Sequence, residues 1–445
     1  MSKCPPELNS QQCELFILER ALQNVKEEQN KNVALNPHIQ KIIQIAKDFI
    51  IDKNVLVYGG LAINNIVPST VQFYKPTDFP DYDVYSPTAL LDAKELADRY
   101  NEAGFNHVEA KSGIHIGTFK VFVDFIQIMD ITQMARPIFN NIIKESINIG
   151  GVNYAPPTYL KMAIYLELSR PTGDISRWEK ISKRLQLLNE HFPMETECEK
   201  VVYQRRNPFL TDKQNEELFY TVRNHFIEEQ LVFFGSYANR LFTKYRNDTS
   251  LLKRIADFDV FSMNPKISAT LLKEKLSETY HRQDIKIKKH KAIGELIPEH
   301  YQITLYNHQI AMIYKPDACY SYNMVNLGDQ VIRIATIDTI IRFYLAFAYV
   351  DREYYDTKRV LCMAQFLMEI MRHSLRNQKG ILKRFSLSCI GLQKSLQDIR
   401  REKAEKYRLL KHKRKTKEWE YLFLKYNPRS TTKTRTYRNR TVKRR

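Results

Sequence analysis

The 445-residue sequence predicts an α+β protein built from two copies of one module, each a mixed β-sheet with flanking helices followed by a helical segment, and a basic C-terminal tail. Three observations predict it. Short apolar strands ending in glycine, VLVYGG (55–60) and LVFFGS (231–236), each precede a helix start. An acidic strand follows each of them, PDYDVYS (80–86) and ADFDVFS (256–262), and the spacing from Gly59 to Asp81 equals that from Gly235 to Asp257, 22 residues. Two motifs at one offset make an internal duplication the simplest explanation. Third, residues 383–445 hold 22 Lys and Arg against 5 Asp and Glu, so nearly all of the net charge of +19 lies at one end.

In chain order, PHIQKIIQIAKDFIIDK (37–53) places Ile39, Ile42, Ile43, Ile45 and Ile50 at helical spacing. The strand VLVYGG and the helix start LAINNIV follow, then the strand carrying Asp81 and Asp83. TALLDAKELADRYNEA (88–103) reads as an amphipathic helix, and GTFKVFVDFIQI (117–128) as one further strand with Asp124 inside it. From about 157 to 191 the pattern is helical, interrupted at Arg170–Gly173. In the second copy the strand corresponding to the one with Asp124 is HQIAMIY (308–314), which has no carboxylate, and Gly–Ser replaces Gly–Gly. The first copy therefore reads as catalytic and the second as degenerate. The expected divisions are an N-terminal helical segment (1–45), a catalytic core (46–150), a helical segment contributing to the site (151–200), the degenerate module (201–330), a C-terminal helical segment (331–400) and a partly disordered basic tail (401–445).

Composition excludes several classes. No run of about 18 apolar residues is present, which argues against a membrane span, and the N-terminus lacks the basic-then-apolar order of a secretory signal. The six cysteines form no C-x-x-C pair, so neither a disulfide framework nor a zinc site is expected, and a reducing cytosol fits. No P-loop, zinc-hydrolase or nucleophile-elbow motif occurs. The segment Arg429–Arg445 has eight basic residues and no acid, a composition suited to phosphate backbones. Tyr203 beside Arg205 and Arg206, Tyr407 beside Arg408, and Tyr426 and Tyr437 are candidates for stacking on bases.

The chemistry is concentrated in the first copy. Residues two apart on a strand share a face, so Asp81 and Asp83 point the same way. With Asp124 on a neighbouring strand, three carboxylates would converge and need a counter-cation; hard oxygen ligands suit Mg²⁺ or Mn²⁺. Gly59 and Gly60 would let the backbone approach a phosphate at a helix N-terminus, with Asn64 and Asn65 adding polar contacts. A lone D-x-D or a lone Gly–Gly says little; their combination with one acid in an apolar strand is specific.

These residues resemble the nucleotidyltransferase superfamily that includes poly(A) polymerases, CCA-adding enzymes and oligoadenylate synthases. VLVYGGLAI (55–63), DYDVYSP (81–87), DAKELADRYNEAGFNHV (92–108), IHIGTFKVFVDF (114–125) and RPTGDISRWEKISKRLQLLN (170–189) are most similar to the poly(A) polymerase catalytic subunits of large nucleocytoplasmic DNA viruses. The resemblance covers roughly residues 40–195 well and the second copy more loosely. It implies a nucleotidyltransferase-like fold in both modules and template-independent addition of AMP from ATP to the 3′-OH of mRNA. It also implies two divalent ions held by Asp81, Asp83 and Asp124, with Asp124 a candidate to accept the hydroxyl proton. Lys161 and Lys180 become candidates for the ATP phosphates, and Trp178 or Tyr159 for adenine, beside Gly59 and Gly60. Implied partners are an RNA 3′ end and ATP, with self-association or a processivity subunit left open; the implied location is the host cytoplasm and virus factory, with packaging in the virion also open. Two other readings stay open: the same chemistry on another acceptor, as in an oligoadenylate synthase, and a catalytically inert RNA-binding scaffold.

Overall fold

The computed structural model describes residues 4–199, 201, 204–245, 254–294, 296–414 and 416–428; Arg429–Arg445, including Tyr437, and also Tyr203 lie outside the described residues. The first module contains α1 (Ser10–Leu35), α2 (Pro37–Lys53), β1 (Leu56–Val57), α3 (Gly59–Ile66), β2 (Tyr82–Ser86), α4 (Ala89–Glu102), β3 (Val108–Ser112), β4 (Thr118–Val123), β5 (Ile126–Gln133), α5 (Arg136–Lys144), β6 (Ile147–Ile149) and β7 (Val152–Tyr154). Helices α6 (Pro157–Leu168) and α7 (Trp178–His191) follow. The second module contains α8 (Asp212–Glu228), β8 (Val232–Phe234), α9 (Ser236–Phe242), β9 (Phe258–Phe261), α10 (Pro265–Leu276), β10 (Ile285–His290), β11 (His300–Leu305), β12 (His308–Tyr314), β13 (Tyr320–Leu327) and β14 (Gln330–Ala335). Then come α11 (Ile337–Phe347), α12 (Thr357–His373), β15 (Cys389–Ile390), α13 (Leu396–Leu410), α14 (Lys417–Phe423) and β16 (Lys425–Tyr426).

The duplication is visible in the sheet orders, β16-β3-β4-β5-β2-β1-β7-β6 and β10-β11-β12-β9-β8-β14-β13-β15. From β3 to β6 and from β10 to β13 the strands correspond one to one. The parallel pairs correspond too: β2 with β5 and β9 with β12, β1 with β7 and β8 with β14. Helix α2 shows how local sequence starts the first module. The Asn36 side chain accepts from the N–H of His38, Pro37 occupies the first helical position, and Asn54 ends the helix in the left-handed conformation at φ 50°. The helix buries Ile39, Ile42, Ala46, Phe49 and Ile50. Between the modules, α11 packs against α6 and α12. Every residue of α11 is buried, which its apolar sequence IDTIIRFYLAF allows on all sides.

Three expectations require correction. The segment 117–128 is not one strand: β4 and β5 form a hairpin with Asp124 and Phe125 at its turn, at φ 48° and 68°. Positive φ at two successive residues is the backbone of a two-residue hairpin turn. Second, the stretch read as a basic tail folds as far as Pro428. Strand β16 joins the edge of the first sheet beside β3, the Tyr426 hydroxyl donates to Asp98 at 2.7 Å, and the Lys403 ammonium donates to the Gly113 carbonyl at 2.6 Å. Third, the cysteines pair, Cys4 with Cys13, Cys198 with Cys362 and Cys319 with Cys389. Partners 164 and 70 residues apart come together only through the tertiary fold, so spacing could not reveal them. Among the described residues no helix is long and apolar enough to cross a membrane.

Candidate active site

Strand β1 delivers the chain into a tight turn at Gly59. Its φ of 72° is one that side chains disfavour, and a Cβ there would lie 2.9 Å from the Asp83 carboxylate. The glycine is therefore required by the aspartate as well as by any phosphate. The second copy repeats the arrangement at Gly235, with φ 77° and the Asp259 carboxylate closer still.

Asp83 lies directly opposite Asp130 in the parallel pairing of β2 with β5, and Asp130 lies opposite Lys120 on β4. The Asp83 carboxyl is pushed up to about 7, first by burial and then by the negative charges of Asp81 and Asp130. Asp130 is also raised, by burial, while the Lys120 ammonium 2.5 Å away pulls it down. The third acid beside Asp81 and Asp83 is thus Asp130. Asp124 sits in the turn beyond the start of β5 at Ile126, about 15 Å from Asp130 at strand rise plus the turn, and its carboxylate is 2.7 Å from the His38 ring. The assignment of Asp124 as a ligand and proton acceptor is corrected accordingly. In the second copy Met312 stands opposite Asp259, where the first has Asp130.

Other nominated residues separate into those near this centre and those turned elsewhere. Gly60 adjoins it: a Cβ there would lie 2.8 Å from the guanidinium of Arg184, a residue of α7 that sequence reading missed. Arg184 is only 8% exposed, receives no carboxylate within ion-pair distance among the described residues, and donates to the Tyr74 hydroxyl at 2.9 Å. Its spacing from Ile181, Leu185 and Leu188 on the buried face of α7 was the available signal. Arg177 also acts on Asp83, lowering its pKa. Lys161, by contrast, is buried on α6 and donates to the carbonyl of Phe192 at the end of α7; burial lowers its pKa to about 8. It caps a helix C-terminus and is not free for phosphate. Trp178 donates its indole N–H to the Glu167 carbonyl at 3.2 Å and packs on Phe385, and Lys180 is exposed on α7. Tyr159 is buried against Tyr85 and Tyr349. Asn64 accepts from the backbone N–H groups of Phe73 and Tyr74 at 2.8 Å, fixing the loop before Asp81, and Asn65 donates to Tyr154. Both line a cleft of about 840 Å³ that Asp81 also borders.

Among the described residues no group of three or more His, Cys, Asp or Glu side chains is close enough together to hold a metal ion. The ammonium of Lys120 occupies the place of a counter-ion at Asp130. The donor set nevertheless fits a hard divalent cation: oxygens only, with one carboxyl pushed toward neutrality by burial and then by its acidic neighbours. Such an ion would take over the charge that Lys120 now balances.

Residues 44–174 match the family model of the poly(A) polymerase catalytic subunit. The matched range contains both glycines and all three acids of the site. An African swine fever virus protein (strain Badajoz 1971 Vero-adapted) that carries the same name is 29% identical over 185 residues, a stretch that takes in 40% of this chain and 38% of that protein. The Acanthamoeba polyphaga mimivirus protein of that name is 29% identical over 194 residues, 40% of this chain and 33% of its own length. The chain thus spans about 38% of the length of the African swine fever virus relative in sequence. The fold likeness reaches further. The crystal structure of the Megavirus polyadenylate synthase superposes with a TM-score of 0.79 at 21% identity, covering 96% of this chain and 88% of that one. The shared architecture therefore includes the second module and the intervening helices, beyond the end of the family match.

Proposed function

We propose that the protein is a template-independent adenylyltransferase that adds AMP from ATP to the 3′-hydroxyl of mRNA. The observation that carries this is Asp83 paired in register with Asp130, beside Asp81 and against the Gly59 turn, inside the segment that matches the poly(A) polymerase family. In this reaction the RNA 3′-hydroxyl gives up its proton to solvent, its oxygen attacks the α-phosphorus of ATP, the bond to the bridging oxygen breaks, and pyrophosphate leaves. Asp81, Asp83 and Asp130 would hold Mg²⁺ or Mn²⁺, whose chemistry when bound is to neutralise charge on the attacking and leaving oxygens. The chain's own part is positioning. The glycine turn presents the N–H groups at the start of α3 to the triphosphate, and the Arg184 guanidinium beside Gly60 offers charge-assisted hydrogen bonds to it. The carboxylates fix where the reacting oxygens sit.

The test is extension of a 3′-OH RNA with each of the four nucleoside triphosphates and Mg²⁺ or Mn²⁺. AMP-specific extension, abolished by Asp81→Ala with Asp83→Ala, is the expected result. Oligomers formed from ATP without RNA would assign an oligoadenylate-type reaction instead. No extension by the wild-type chain would leave an RNA-binding scaffold. A second copy of the chain or a separate processivity subunit as partner, and action in the host cytoplasm, belong to the same proposal.

A further inference from the structure

Cross-strand register lines up five charged side chains across the first sheet. Asp83 is opposite Asp130, Asp130 opposite Lys120, Lys120 opposite Lys111, and Lys111 opposite Lys425. On β2, β3 and β4 these residues alternate with buried neighbours, so they share the open face of the sheet. Strands about 4.8 Å apart place the outer two of the three lysines about 10 Å from each other. Like charges directly opposite one another weaken a sheet. Lys120 is balanced by Asp130, and Lys111 leans on Glu109 at 3.1 Å; Lys425 makes no ion pair among the described residues.

The row leads away from the catalytic acids to a cavity of about 430 Å³ whose lining includes His107, Lys111, Phe122, Phe125 and Lys425. Phe125 is 85% exposed at the hairpin turn, and its ring stacks on His107 at 5.4 Å and 27°. The Lys111 ammonium lies 4.0 Å over the Phe122 ring. An exposed aromatic pair beside cations is a platform on which any nucleobase can stack. The chain leaves this cavity at Pro428, and the next seventeen residues are the ones with eight Lys and Arg and no acid. Folding the C-terminus back as β16 therefore extends the lysine row to Lys425 at the edge of the sheet.

We infer that single-stranded RNA lies across the strands of the first sheet, its phosphates on Lys120, Lys111 and Lys425, one base on the Phe125–His107 pair, and its 3′ end at Asp83 and Asp130. This rests on the adenylyltransferase reading, and deepens it by naming the path of the acceptor. The test uses the full chain, the Lys111→Gln with Lys425→Gln variant, and a fluorescein-labelled 20-nucleotide single-stranded RNA titrated at several salt concentrations. At about 0.7 counterions per phosphate on a single strand, two lost contacts reduce the log–log salt slope by about 1.4 and raise Kd about 25-fold at 0.1 M salt. Lys111→Arg with Lys425→Arg keeps the wild-type slope. An unchanged slope in the glutamine variant overturns the path. Should that variant fail to fold, 4-thiouridine RNA cross-linked to the wild-type chain serves the same purpose: adducts at His107 or Phe122–Phe125 are expected, and adducts confined to the second module overturn the inference. A chain that extends RNA but shows either overturning result loses only the path; one that neither binds nor extends RNA loses the enzymatic reading as well.

Discussion

Replacing Asp130 by Asn should cost far more activity than replacing Asp124 by Asn. Asp130 is the direct cross-strand neighbour of Asp83, about 5 Å away by strand spacing. Two unit charges at that distance interact by about 3 kcal/mol at an effective dielectric of 20. If that interaction with a cation-centred transition state is lost, the rate falls on the order of 100-fold. Asp124 is about 15 Å from the same point, where the interaction through water is about 0.3 kcal/mol before salt screening, less than a twofold effect. The assay is single-turnover extension of a 3′-OH RNA with ATP, under saturating RNA, comparing Asp130→Asn, Asp124→Asn and wild type. Thermal unfolding of each variant separates lost chemistry from lost structure, since Asp124 contacts His38 and Asp130 contacts Lys120. A collapse in Asp124→Asn with near-wild-type rates in Asp130→Asn would refute the reassignment of the third acid.

Other outcomes follow from single side chains. Arg184→Ala should raise the KM for ATP about tenfold or more, the value of a charge-assisted hydrogen bond of at least about 1.5 kcal/mol, while kcat changes less; an unchanged KM would detach Arg184 from the triphosphate. Asp257→Asn leaves Arg359 buried without its carboxylate, which should destabilise the fold by about 3–5 kcal/mol in denaturant titrations, yet the adenylation rate per folded molecule should hold; a rate collapse would mean the second copy takes part in chemistry. His300 accepts from the Tyr354 hydroxyl and its other ring nitrogen donates to the Pro298 carbonyl, and its pKa falls to about 4, chiefly through burial. Its unfolded value is about 6.5, so the unfolded chain takes up the proton first: stability holds above pH 6.5 and is lost as pH falls from there to about 4, by about 3 kcal/mol at most. His300→Gln should flatten that part of a Tm-against-pH curve, and an equally steep curve in the variant would exclude His300 as its source.

The duplicated architecture was legible because its marks are local: a glycine forced by a close carboxylate, and a D-x-D strand at a fixed offset. The third acid was not, because Asp124 and Phe125 are not the Asn–Gly or Asp–Gly pair that announces a two-residue turn. Without a turn signal, β4 and the start of β5 merge into one strand and the wrong acid falls inside it. Aligning QIMDI (127–131) with QIAMI (309–313) places Asp130 against Met312 and would have found it. Lys161 illustrates a different limit, since helical spacing shows which residues share a face but not which neighbour's carbonyl that face meets. The C-terminal helices were hidden by composition. Residues 396–428 are strongly basic, but a few aromatics are enough to anchor them: Tyr407, Trp419 and Phe423 pack together, and Phe119 of β4 meets Tyr421.

The two copies answer the same electrostatic problem differently, and on the proposed adenylyltransferase reading the difference favours the first as the catalytic one. Each places an aspartate against a glycine turn, where burial and a second aspartate raise its pKa. In the second copy the balancing charge is permanent. Arg359, its side chain 11% exposed, is ion-paired with the buried Asp257, Arg205 stands near both acids, and Met312 removes the third donor. A guanidinium held in this way keeps its charge. In the first copy the cation in contact with the acids is Lys120, 27% exposed, on a flexible stem over an open sheet face, with Arg177 acting on Asp83 from farther off. With a divalent cation held by the carboxylates, an ammonium there would be free to exchange its carboxylate for a phosphate, and Lys120 would become the first member of the proposed lysine row. The second copy, with its acids neutralised, contributes instead through packing: its sheet feeds directly into α11, the fully buried helix against which α6 of the first half is set.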